Sequence, residues 1–158
     1  MNFAEFRSGQ VLTYGPDSVS EAEILAFARE YDPQWFHADP VRAKNSRWNG
    51  LIASGWQTCG IAMRLAVNGA LQGSESIGSP GLEYLKWLTP VRAGDALTLH
   101  AEVLDVRRSE RQPMLGILRW RWRLVNQDEV AVLELVATSL FDLAPHRDAG
   151  PTHAPIHA

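Results

Sequence analysis

The 158-residue sequence holds a single cysteine, Cys59, so no disulfide can form within the chain. It lacks an apolar run long enough to span a membrane, because Gly, Ser, Asn or Gln breaks its longest uncharged stretches. No N-terminal segment joins a basic start to an apolar stretch, so nothing marks secretion and a cytoplasmic location is expected. Positive charge is not in excess: Lys+Arg 15 against Asp+Glu 18 gives a net charge of -3, a poor basis for holding nucleic acid. Internal repeats and Gly/Ser linkers are absent as well, which removes solenoids and tethered modules. What remains is 46% hydrophobic and 21% charged, enough for one core in the usual range of roughly 100–200 residues. The oddity is six tryptophans beside only three tyrosines and five phenylalanines.

One domain is predicted over residues 1–143, followed by a tail over residues 144–158. The tail carries Pro145, Pro151 and Pro155 with His146, His153 and His157. Prolines at that density favour an extended segment. The three histidines have no Cys, Asp or Glu at a characteristic ligand spacing, so no metal site is assigned.

The first half reads as helical and irregular, the second as strands. Gln10 to Tyr14 is a short candidate strand ended by Gly15-Pro16. Ser20 and Glu23 form a capping box, and the apolar spacing of Ile24, Leu25, Phe27 and Ala28 predicts a helix to about Tyr31, stopped by Pro33. A shorter helix is predicted after Asp39 as cap, with Pro40 at its first position. From Gly55 to Asn68 only Arg64 is charged, so this helix is expected to be buried on most sides, with Asn68-Gly69 as its stop. From Leu82 onward the period is two. Leu97, Leu99, Ala101 and Val103 share one strand face, and adjacent Val103-Leu104 suggests a bulge. Leu118, Trp120, Trp122 and Leu124 alternate with Arg119, Arg121 and Arg123, which puts tryptophans and arginines on opposite faces and argues against a nucleic-acid surface. Asn126-Gln127-Asp128 reads as a hairpin turn. A buried helix followed by an antiparallel sheet is an α+β plan, with the sheet curled around the helix.

Chemistry is concentrated in two stretches. Asp32 and His37 lie five residues apart across Pro33 and could converge on one water as an acid–base pair. On spacing alone, a turn-capping Asp32 and a partly buried His37 explain the same residues. Gly50 to Trp56 leads into the apolar helix, where Gly55 would expose backbone N–H groups at the positive end of the helix dipole. Alternatively, Ser54 is an N-cap and Gly55 permits close packing. Cys59, one turn into that helix among apolar neighbours, reads as packing rather than as a nucleophile.

Asp32, His37 five residues on, and Gly55 opening an apolar helix together resemble the MaoC-like dehydratases, the (R)-specific enoyl-CoA hydratases of the hotdog-fold superfamily. Leu85-Lys86-Trp87-Leu88-Thr89-Pro90-Val91-Arg92-Ala93-Gly94-Asp95 is similar to the family's strand ending in Pro-Val-x-x-Gly-Asp. The resemblance spans about residues 8 to 142 and implies a hotdog fold with an antiparallel sheet around a long central helix. It implies Asp32 and His37 as the catalytic pair and Gly55 N–H as the donor to the thioester carbonyl. Trp35, Phe36, Ser54, Trp56 and Lys86 are the expected substrate-binding residues; Arg42, Lys44, Arg47 and Lys86 are candidates for coenzyme A phosphates, with solvated surface charge the alternative for each. The implied substrate is an acyl-CoA thioester, of which coenzyme A is a part, with water as nucleophile and no cofactor or metal. A homodimer or higher homo-oligomer is implied, with no nucleic acid or membrane partner.

The sequence departs from the family pattern at Tyr31 (usually Gly), at Gln34-Trp35 (usually Asn-Pro) and at Ser54 (often His). These departures keep a non-catalytic acyl-CoA-binding subunit open as an alternative. A hotdog thioesterase is a second one, weakened by the absence of Asp or Glu from Gly55 to Asn68.

Overall fold

A computed structural model describes residues 1–144; the proline- and histidine-bearing tail beyond lies outside the described residues. A 3₁₀ turn at Phe3–Glu5 precedes strand β1 (Val11–Ser18). Helices α1 (Glu21–Tyr31), α2 (Trp35–Ala38), α3 (Pro40–Lys44) and α4 (Gly55–Ala66) follow. A π turn, Val67–Leu71, leads to β2 (Ser76–Trp87), β3 (Ala96–Arg108), β4 (Leu115–Val125) and β5 (Ala131–Asp142). The five strands form one antiparallel sheet in the order β1-β3-β4-β5-β2. Its inner face packs on α4, giving the hotdog arrangement.

The sheet follows from its period. Leu97, Leu99, Ala101 and Val103 on β3, and Leu118, Trp120 and Leu124 on β4, are fully buried, with Trp122 3% exposed. They share one core with Ile61, Ala62, Leu65 and Ala66 of α4. Each buried tryptophan removes roughly 150–250 Å² from water, worth roughly 4–6 kcal/mol at about 25 cal/mol per Å². Trp120 Nε1 donates to Ser139 Oγ at 3.2 Å, while Phe6 meets the Trp120 ring edge-on with centroids 5.9 Å apart. The alternating arginines lie on the other face, where Arg119 pairs with Glu83 and Arg121 with Glu102. The suspected bulge is present, as a register shift between Val103 and Asp105.

Local chemistry sets the helix ends. Ser20 Oγ accepts the Glu23 N–H and Glu23 Oε2 accepts the Ser20 N–H, closing the capping box. Asp39 Oδ1 accepts the Arg42 N–H and Pro40 opens α3.

Four expectations are corrected. β1 does not stop at Gly15-Pro16; it runs on to Ser18 through a register shift between Tyr14 and Asp17. A one-turn helix, α2, occupies the loop after Pro33. α4 does not end at Asn68-Gly69: the backbone widens into a π turn to Leu71, and Gly69 lies so close to the Tyr14 ring that a Cβ would overlap it. Nor is α4 buried on most sides. Trp56 is 63% and Met63 49% exposed, because a single sheet covers only one side of the helix.

Candidate active site

Three chain segments meet at the start of α4. Asp32 ends α1, its N–H donating to the Ala28 carbonyl, and Pro33 then turns the chain into α2. His37 lies on α2 and is 5% exposed. The extended segment 51–54 runs beside it. Ile52 N–H donates to the Phe36 carbonyl, and Ala53 N–H to the Val91 carbonyl on the β2–β3 connection. Backbone bonding on both sides therefore fixes Ser54 and Gly55 relative to Asp32 and His37.

The side chains form one network. His37 Nδ1 is 2.8 Å from the Ile52 carbonyl oxygen. A carbonyl only accepts, so Nδ1 carries hydrogen, and Nε2 is the ring position turned to Asp32 Oδ2, 3.3 Å away. Ser54 Oγ donates to the same Oδ2 at 2.6 Å, and Gln34 Nε2 donates to Oδ1 at 2.8 Å. Burial pushes the Asp32 carboxyl up. The donors Ser54 and Gln34, with the His37 ring, outweigh that and hold it below the ordinary carboxylate value. Asp32 is thus kept ionised against the one ring nitrogen free to accept or deliver a proton.

Ser54 also caps α4, its Oγ accepting the Trp56 N–H at 3.3 Å. One hydroxyl thus both caps α4 and holds the Asp32 carboxylate. Gly55 is the first residue of α4, so its N–H has no partner within the helix and points from the positive end of the dipole. Its glycine identity has a steric cause. A Cβ there would come 2.5 Å from Trp87 Cε2, and Trp87 Nε1 donates to the Gly55 carbonyl at 2.9 Å.

A cavity of about 430 Å³ opens here. Asp32, His37, Ser54, Gly55 and Trp56, all singled out from the sequence, line it. Trp35, Phe36 and Lys86 do not. Trp35 stacks under the Arg42 guanidinium at 4.5 Å. Phe36 packs behind the His37 ring at 4.4 Å and so buttresses the imidazole rather than the cavity. Lys86 sits over the Tyr84 ring, because strand alternation sends it to the face opposite Leu85 and Trp87. Gln34, Trp48 and Trp87, which sequence reasoning passed over as site residues, are in the wall. In the sequence Gln34 stands out only as a departure from Asn, yet its carboxamide donates to Asp32 Oδ1. The signal for Trp48 was a large aromatic alone in the polar stretch Asn45 to Gly50. Cys59 is half-buried, and burial pushes its thiol up. Among the described residues, no helix is long and apolar enough to cross a membrane.

Residues 4–118 match the family described as the MaoC-like domain. The Bacillus subtilis (strain 168) protein YdeM is 37% identical over 134 residues, spanning 85% of this chain and 94% of that protein. The crystal structure of a MaoC-like dehydratase from Rhodospirillum rubrum superposes with a TM-score of 0.82 at 35% identity, covering 90% of this chain and 97% of that one. An (R)-hydratase from A. caviae involved in PHA biosynthesis shares the fold, with a TM-score of 0.70 at 24% identity, covering 85% and 96%.

Proposed function

This chain belongs to the MaoC-like dehydratase family, and we propose that it is an (R)-specific enoyl-CoA hydratase, or 3-hydroxyacyl-CoA dehydratase in reverse. The observation that carries the reading is the 3.3 Å approach of His37 Nε2 to Asp32 Oδ2 within the cavity that opens at the start of α4.

In the hydration direction, Asp32 Oδ2 and His37 Nε2 hold a water facing C3 of a trans-2-enoyl thioester. The C3–O bond forms as the pair takes a proton from that water, and electron density moves through C2 to the thioester oxygen. Gly55 N–H, reinforced by the dipole of the 12-residue helix, stabilises that developing oxyanion. A proton returned to C2 by the pair completes the addition. The Ile52 carbonyl keeps the His37 ring oriented through the cycle, and Ser54 with Gln34 keeps Asp32 ionised at its start.

Loss of conjugated-thioester absorbance on mixing with crotonyl-CoA measures the reaction directly. Asp32→Asn and His37→Ala are each expected to lower kcat about 10²–10⁴-fold, the usual contribution of a positioned acid or base. Wild-type turnover in folded variants would overturn the assignment.

The open side of α4, with exposed Trp56 and Met63, and the unpaired edge of β2 support a homodimer. Light scattering should give twice the 17.6 kDa chain mass; a monomer at micromolar concentration would exclude it.

A further inference from the structure

The wall of the cavity contains one large side chain that neither the acid–base pair nor the start of α4 explains: Trp48. It stands on the connection between α3 and α4, a stretch with no regular structure of its own, yet it is restrained from several directions. Its ring lies 5.9 Å from the Phe36 ring, which in turn packs on His37. The Arg47 guanidinium covers it at 5.6 Å. Its carbonyl accepts a 2.6 Å hydrogen bond from Arg92 Nη2, on the connection between β2 and β3. Arg92 is itself anchored, its backbone N–H donating to Asp95 Oδ2 at 2.8 Å. The loop turns back immediately after Trp48. Asn49 has φ +50° and Gly50 φ +136°, and Gly50 N–H closes onto the Ala43 carbonyl. At Gly50 a side chain would be strained by φ and would press on Arg92 Nη1 at 3.1 Å.

A bulky indole fixed in this way makes a rigid wall. The acyl group and the attacking water must share the cavity beside this wall. We infer that Trp48 is a specificity-determining residue that limits the length of acyl chain the cavity accepts, and that Arg92 is a positioning residue that holds Trp48 in the wall. The inference rests on the hydratase reading for its substrate. Each methylene that a hydrophobic pocket gains or loses changes selectivity by about tenfold or more, so removing the indole should be visible as an altered chain-length preference.

The experiment measures hydration of enoyl-CoA esters from four to ten carbons, together with calorimetric binding of the matching saturated esters, which cannot react. Wild type, Trp48→Phe, Trp48→Leu and Arg92→Met are compared. Trp48→Leu is expected to raise the eight-carbon to four-carbon ratio at least tenfold, in both kcat/KM and affinity, with Trp48→Phe intermediate. Arg92→Met is expected to shift the same ratio severalfold, mainly through KM, which a merely structural role for Arg92 would not do selectively by chain length. Unchanged ratios in folded Trp48→Leu and Trp48→Phe proteins would overturn the role of Trp48, and an unchanged ratio in Arg92→Met that of Arg92. Binding without hydration by wild type would overturn the hydratase reading alone and leave the binding ratios to decide Trp48. No binding of any ester would overturn both.

Discussion

Two groups of tryptophans divide the molecule. Trp120 and Trp122 sit on one face of β4, sealed between sheet and helix, with ring centroids 5.1 Å apart. Trp48, Trp56 and Trp87 ring the cavity from a loop, a helix start and a strand end, and Trp56 and Trp87 are 63% and 49% exposed. The first pair is where burial alone would put it. The second keeps apolar area in water that folding could have removed, an arrangement that fits a surface awaiting an apolar ligand or partner.

The largest stability effect belongs to the sealed pair. Trp120→Ala should cost about 3–5 kcal/mol, read as a lowered urea midpoint, while Trp56→Ala should cost less than about 1 kcal/mol. Equal losses at the two positions would erase the distinction. A smaller effect is expected where the exposed group touches the backbone. Gly55→Ala forces a Cβ against the Trp87 ring and should cost about 1–3 kcal/mol. Trp87→Leu in the same protein should recover part of that loss, and a double-mutant cycle showing no coupling would refute the steric cause.

The smallest effect is electrostatic. The folded-state pKa of Asp32 lies below its ordinary value, so its ionised form adds stability above the unfolded-state pKa. That stability is lost as pH falls through the folded-state pKa. The stability of wild type relative to Asp32→Asn should therefore fall on acidification from the ordinary carboxylate range downward. A difference independent of pH down to the acid transition would contradict it.

What the sequence makes legible follows the same division. β3, β4 and the bulge after Val103 were readable because a period of two is imposed by the pleat and needs no knowledge of partners. α1 and α3 were readable because Ser20, Glu23, Asp39 and Pro40 act within one turn. α2 was not: its N-cap Gln34 makes no side-chain cap bond and turns to Asp32 instead. The first half of β2, Ser76 to Gly81, has no apolar alternation and is specified by pairing with β5, which no local pattern encodes. Where the backbone continues past Asn68-Gly69, Gly69 packs on Tyr14, 55 positions away in sequence and outside any local pattern. At the site, Asp32, His37 and Gly55 stand out only through their resemblance to the family pattern, since spacing alone is equally explained by a turn cap, a buried histidine and a packing glycine. Trp48 and Gln34 do not stand out as site residues, because their places are set by Arg92 on one side and by the Asp32 carboxylate on the other. Lys86 lies outside the cavity for a local reason, since alternation along β2 turns it to the face opposite Trp87.

The placement of the tryptophans also has an optical consequence. Three indoles face the cavity, while Trp120 and Trp122 sit in surroundings that a ligand would leave unaltered. Filling the cavity would change the polarity around the first set against a constant background from the second. The chain therefore carries its own unlabelled fluorescent reporter of occupancy, and removing Trp48, Trp56 or Trp87 one at a time would show which wall a bound molecule reaches first.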